Sequence, residues 1–254
     1  MVAYGRTRNP GKVDTLALSS TYVNAVLADG PAGFWMLDDT TGTVATDISG
    51  NGRHGTYVAG YTLDQPGTGG TARAVSLTGE ASGTGRVTFP NAAATSLTGD
   101  FTMGIVLKMS GLAVGAWNLL SLVAPSEWSQ PLQIGLGSAS GAVNKFTLKA
   151  GNTGSSETDI FSETGSDLGT GWHHVAFRAS GSSPTTWKIY VDGTEAASTT
   201  SSQARANSGE VLSLGRRTNS SAQRGRTGLY AGLYLCPSAL SNARIAAHAA
   251  AGLA

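Results

Sequence analysis

The chain has 254 residues, 35 of them Gly, with 40% hydrophobic residues, only 13% charged side chains and a formal net charge of +1. Gly stands at about twice, and charge at about half, the usual share of a soluble domain, but disordered chains combine low hydrophobicity with high net charge, which this chain lacks. No apolar run approaches the ~18 residues of a membrane span, near-zero charge argues against a general nucleic-acid binder, and abundant Gly, Ser and Thr argue against long helices, so an all-β, turn-rich chain remains.

Residues 1–17 are polar and basic, with Arg6, Arg8 and Lys12 against Asp14. Such a segment buries little and reads as an extended arm, either frayed or ordered by a partner. The expected organisation is this arm over 1–19 and one domain over 20–254. Ser20 as N-cap, Tyr22, Val23, Val26 and Leu27 at helical spacing, and Asp29-Gly30-Pro31 as a stop predict a helix over 20–29. A short strand, Phe34 to Leu37, follows.

From there the period is two. Phe101, Met103, Ile105, Leu107 and Met109 alternate with Thr102, Gly104, Val106 and Lys108, the pattern of a half-buried strand. Residues 172–179 and 187–192 repeat it. In 229–235, Leu229, Ala231, Leu233 and Leu235 fall on one face and Tyr230, Gly232 and Tyr234 on the other. Shorter strands are expected at 73–77, 85–89, 117–123, 131–136, 145–150, 158–161 and 210–214. Turn residues separate them every 8–15 residues or so, the mark of a sandwich or jelly roll. Ser241 and the Ala run after it predict a closing helix, with Ile245 and Ala249 toward the sandwich.

Charge is uneven. Residues 205–226 hold five arginines and one glutamate, and 127–167 hold five acids against Lys145 and Lys149. A solvated loop and a partner-steering patch are both open readings. The lone Cys236 excludes an internal disulfide, so no oxidising compartment is required. The N-terminus lacks an apolar h-region, which predicts no signal peptide.

Five segments carry a family pattern: Val26 to Asp39, Asp47-Ile48-Ser49-Gly50-Asn51-Gly52 to Tyr57, Gly171-Trp172-His173-His174-Val175, Trp187 to Gly193, and Tyr230 to Leu240. In this order they resemble the laminin-G-like jelly-roll modules of the concanavalin A-like lectin and glucanase superfamily. The resemblance implies a two-sheet antiparallel sandwich with a short N-terminal and a C-terminal helix. In such a sandwich Trp172 and Trp187 are expected as core anchors.

The resemblance also implies a structural Ca²⁺ in some relatives, held by the Asp of the D-x-S-G-N-G loop and an acidic pair in the last strand. Asp47 matches, and Asp38 or Asp39 are stand-ins, but Ala231-Gly232 replaces the pair. Ca²⁺ takes six to eight oxygens; a loop closed by hydrogen bonds alone is the competing reading. The acidic E-x-D-x-E strand of the related glucanases is absent. Glu157 and Asp159 are an i, i+2 pair in a Gly/Ser/Thr-rich hairpin and read as exposed loop. His173 and His174 face opposite sides of a strand and cannot share a metal. Cys236 reads as a buried, inert thiol. No catalytic residues and no cofactor are assigned, and a non-enzyme is expected.

Trp128, Trp117 and Tyr61 are the aromatic candidates for stacking on sugar. Arg216 and Arg217, with Arg6, Arg8 and Lys12 of the arm, are the candidates for partner binding. Modules of this kind are familiar in tailed-phage virions. The resemblance therefore implies a virion-surface tail, fibre or capsid-decorating subunit, docked on other virion proteins through its arm and oligomeric within the assembly. The alternative is a lectin-like adhesion module for host surface glycans. Neither nucleic acid nor membrane is an expected partner.

Overall fold

The computed structural model describes residues 19–78, 85–90, 97–109, 117–123, 132–136, 146–150, 158–164, 168, 170–182, 184–202, 211–215, 225 and 227–254. In chain order the early elements are α1 (Ser19–Leu27), β1 (Gly33–Trp35), β2 (Val44–Ala45), β3 (Gly55–Val58), β4 (Tyr61–Pro66), β5 (Arg73–Leu77) and β6 (Arg86–Phe89). Then come β7 (Phe101–Met109), β8 (Trp117–Val123), β9 (Leu132–Leu136), β10 (Phe146–Ala150), β11 (Thr158–Thr164) and β12 (Trp172–Ser180). The last are β13 (Thr185–Val191), β14 (Thr194–Ser201), β15 (Val211–Leu214), β16 (Gly228–Cys236) and helix α2 (Asn242–Leu253).

The strands make two antiparallel sheets, the expected sandwich. The first runs β14-β13-β12-β7-β16-β5-β4, with β1 also paired to β16. The second runs β11-β10-β9-β8-β15-β6-β3-β2. Register explains the core. Across the second sheet Tyr57, Val87, Leu214, Leu120, Ile134, Leu148 and Phe161 are successive backbone partners, one apolar position per strand. The parallel row Thr56, Thr88, Ser213, Ser121, Gln133, Lys149 and Asp159 is polar. Between the sheets lie Trp35, Phe89, Phe101, Ile105, Leu107, Trp187, Ile189 and Leu212. Trp35 meets Phe89 at 4.3 Å between ring centroids, and Phe101 meets Trp187 edge-on at 6.0 Å. Burying each such side chain is worth about 1.5–3 kcal/mol.

A second core lies outside the first sheet, under the two helices. Tyr22, Val26, Phe34, Met36, Val106, Ala176, Tyr190, Ala231, Tyr234, Cys236 and Ile245 fill it. This layer corrects three sequence expectations. Strand β7 is buried on both faces, not half-buried: Thr102 and Val106 are 0% exposed beneath the helices. Trp172 shares the parity of His174 and packs on the helix-side core, so of the two expected anchors Trp187 alone lies in the core between the sheets, where Trp35 joins it. In β16 the alternation breaks, because the register against β7 shifts between Ala231 and Tyr234. Gly232, at φ +58°, makes the bulge. Tyr230 therefore joins Leu233 and Leu235 in the inner core, while Ala231, Tyr234 and Cys236 face the helices. The Tyr22 ring occupies the space a Gly232 side chain would need, and its hydroxyl donates to Gly232 O at 2.7 Å.

Helix α2 is held at both ends. Ser241 Oγ accepts from Arg244 N at 3.3 Å, the expected N-cap. Arg178 Nη1 donates to Leu240 O and Asn242 Oδ1, and Tyr190 Oη donates to the same Asn242 oxygen. At the other end Thr68 Oγ1 donates to Gly252 O. Gly70 lies directly against the carbonyl of Ala251, with no room for a side chain.

Candidate functional site

The chain from β1 to β4 folds into one rim of the sandwich, and two of its carboxylates organise it. Asp47, 3% exposed, is the first. Its Oδ1 accepts from Phe34 N at 3.0 Å and Ser49 N at 2.9 Å, and its Oδ2 accepts from Arg53 N at 2.8 Å. Its own N–H donates to His54 Nδ1 at 3.1 Å. Asn51 Nδ2 reaches the carbonyls of Pro31 and Ala32, and Trp35 Nε1 donates to Arg53 O at 2.8 Å. The D-x-S-G-N-G loop is thus a clasp that ties β1 to the second sheet.

Asp39 is the second. Its carboxylate accepts from Thr46 N at 3.2 Å, Thr46 Oγ1 at 2.7 Å and Tyr57 Oη at 2.9 Å. Burial, and then the neighbouring Asp39 charge, push the Tyr57 hydroxyl well above its ordinary value, so it stays a donor. Leu37, buried at φ +57°, bends the chain away from β16 and delivers Asp38 and Asp39 to the rim. A bulky residue at positive φ stores strain, and such positions gather at functional sites.

These residues do not fit a Ca²⁺ cage. The carboxylate oxygens of Asp47 and Asp39 already accept N–H and O–H donors, and a cation there would face those hydrogens. Among the described residues no group of three or more His, Cys, Asp and Glu is placed to hold a metal. The loop is closed by hydrogen bonds.

Of the aromatic candidates, Tyr61 joins this rim. Its ring lies 5.3 Å from that of Tyr57, tilted by 31°, and its hydroxyl donates to Gly42 O at 3.2 Å. Tyr61 is half-buried, and Thr40, Thr41, Thr43, Val44 and Thr62 around this segment are exposed. The rim therefore offers an aromatic edge, carboxylates and hydroxyls together, the groups that meet the C–H and O–H faces of a sugar. Sequence reasoning singled out Asp38, Asp39, Asp47 and Tyr61 separately and missed Tyr57 and Thr46, which join them. The period-two signal Gly55, Tyr57 was too short to mark a strand.

Trp117 opens β8, its backbone opposite Leu136. Trp128, Arg6, Arg8, Lys12, Arg216, Arg217 and Glu157 lie outside the described residues. Asp159 pairs with Lys149 along the β10–β11 backbone ladder. His173 and His174 do face opposite ways: His174 is fully buried, and His173 Nδ1 lies 2.8 Å from Asp192 Oδ2 at the surface. Cys236 is buried, and burial pushes its thiol up to about 12, out of the nucleophilic range. No described helix is long and apolar enough to cross a membrane.

Comparison with known proteins agrees with the fold. No curated protein matches the sequence. Among solved structures, the Trypanosoma rangeli sialidase in complex with 2,3-difluorosialic acid matches with a TM-score of 0.63 at 15% identity, over 92% of this chain and 37% of that one. The binding domain of Paraclostridial Mosquitocidal Protein 1 gives 0.64 at 12% identity, over 87% and 52%. Botulinum neurotoxin type C, whose cell entry is described as dependent upon interaction with two ganglioside molecules, gives 0.63 at 14% identity, over 88% and 51%. At these identities the likeness is one of fold, and the chain spans 37–52% of these neighbours. The laminin-G family model of the concanavalin A-like lectin/glucanases superfamily matches residues 81–246, well over half the sequence, and the chain belongs to that superfamily.

Proposed function

We propose that this chain is a non-enzymatic, lectin-like module that binds carbohydrate at the rim formed by Asp38, Asp39, Tyr57 and Tyr61. The observation that carries the reading is the Tyr61 ring, supported by Tyr57 and flanked by the Asp39 carboxylate on a strained turn. Aromatic rings stack on the C–H faces of sugars, and carboxylates accept their hydroxyls. The family and the glycan-related names of the structural neighbours support this adhesion reading over virion display. The helix layer covers the outer face of the first sheet, so a ligand meets the module elsewhere.

A glycan array probed with multimerised protein tests this. Tyr61→Ala is expected to weaken binding to any array hit at least about tenfold, the effect of about 1.4 kcal/mol at a contact hot spot. Glu195→Ala, on β14, is expected to leave it unchanged. A blank array at high avidity, or equal binding by Tyr61→Ala, overturns the reading.

A further inference from the structure

The helix layer encloses two histidines that the rim does not involve. His174 on β12 and His248 on α2 are both 0% exposed. They flank one ring: Tyr234 stacks on His174 at 6.0 Å and meets His248 edge-on at 4.8 Å. His248 Nε2 lies 2.7 Å from Asp29 Oδ2 and 3.1 Å from Ala25 O. Arg244 Nε donates to both oxygens of Asp29, at 3.0 and 3.1 Å, and Arg244 Nη2 donates to Ala25 O at 2.8 Å. Thus α2 grips the end of α1 through Arg244 and His248, with Asp29 as the shared acceptor.

This arrangement favours neutral histidines. Two acceptors face His248 Nε2, so that nitrogen carries the hydrogen and Nδ1 is bare. Among the described residues, Nδ1 of His248 and Nδ1 of His174 are both buried without a hydrogen-bond partner. His174 Nε2 reaches only Tyr234 Oη, at 3.4 Å. An added proton on either ring would be a buried donor with no acceptor. The titratable and charged groups facing the pair are Tyr22 of α1, Asp29 after it, Tyr234 and Cys236 of β16, and Arg244 of α2. Strands β7 and β12 add Val106 and Ala176, which do not ionise, with Lys108 and Arg178 further along the same face; the β13–β14 turn meets α2 through Gly193 against Ala246, and its Asp192 accepts from His174 N at 2.9 Å. Asp29 is the anion at a ring nitrogen of the pair, and Arg244 already pairs with it, whereas Asp192 meets the His174 backbone N–H and the His173 ring.

We propose that the α1–α2 layer is an acid-released cover: protons taken up by His174 and His248 lift it from the first sheet and uncover the apolar face around Phe34, Met36, Val106 and Tyr234. Burial, and then the nearby His248, hold His174 down to about 3. Burial also lowers His248, outweighing the pull of Asp29. An opened layer returns each ring to its ordinary value near 6.5, so opening gains as pH falls from about 6.5 toward 3. For His174 alone, the open fraction rises about 100-fold between pH 7.5 and pH 4.5.

Cys236, the single cysteine, lies under this layer and reports on it. Its modification by 4,4′-dithiodipyridine, which reacts in acid, is measured on the full chain relative to glutathione at each pH. The expected result is a rise of about 100-fold or more from pH 7.5 to 4.5, with the strand signal in far-UV circular dichroism retained. His174→Phe is expected to remove most of that rise, and His248→Gln, which keeps a donor to Asp29 and Ala25 O, to remove part. A relative rate flat in pH, a rise only together with loss of strand signal, or the same rise in both variants overturns the proposal. If His174→Phe does not fold, His248→Gln decides by itself.

Discussion

Asp47 shows how much one side chain can settle. Its carboxylate gathers N–H groups from Phe34, Ser49 and Arg53, so it joins residues that sequence distance separates. Asp47→Ala leaves three donors without an acceptor and is expected to destabilise the fold by about 3 kcal/mol or more in urea titration. EDTA is expected to leave the melting temperature of the native protein unchanged, since the Asp47 and Asp39 oxygens already accept N–H and O–H donors. A drop on chelation would show that a metal is bound there. The D-x-S-G-N-G pattern was readable as a compact polar loop, because Asp, Ser and Asn bond their own backbone locally. Its link to Phe34 was not, since nothing near Asp47 in sequence names that partner. Tyr57 was hidden for a similar reason: it is defined by Asp39 and Tyr61, which a chain read in order does not bring together.

Among the elements, β7, β12, β13 and the closing helix were legible, and each for a stated reason. Their apolar residues recur every second position, or follow a Ser cap and an Ala run. Strand β14, Thr-Glu-Ala-Ala-Ser-Thr-Thr-Ser, was missed because an edge strand with mostly exposed side chains carries no apolar alternation. In β16 the alternation was real on either side of Gly232, and one bulge residue reversed it. A lone Gly in a strand is the available warning. Gly70 is the seat for the end of α2. Gly70→Val is expected to push α2 off, lowering stability by about 1–3 kcal/mol and speeding Cys236 labelling already at neutral pH. An unchanged labelling rate would show that α2 docks without this contact.

The whole molecule is a sandwich with a third layer, and composition announced only the sandwich. A period-two reading treats the second face of each strand as solvated, so it cannot foresee helices that bury that face. Thr102, Val106 and His174 all sit on it. Through His174, the layer contributes to the pH dependence of global stability. With His174 neutral in the fold near 3 and ordinary near 6.5 when unfolded, stability is full above about 6.5 and declines as pH falls toward 3. Between pH 7 and pH 5 the loss from this residue is about 2 kcal/mol, read as a lower guanidinium midpoint. A midpoint equal at the two pH values contradicts it.

Strand order has a further consequence, in time. β16 lies between β7 and β5 and also holds β1, so the middle of the first sheet joins residues 228–236 to residues 101–109, 73–77 and 33–35. That sheet cannot close until the ribosome has released the segment from 228 onward. Until then β5 and β7 each wait with an open hydrogen-bonding edge, exposed to pairing with another nascent chain. Contacts this distant in sequence also make closure slow. The stage at which this protein is most vulnerable is thus its own synthesis, and a holding chaperone would serve it best between the emergence of β5 and that of β16.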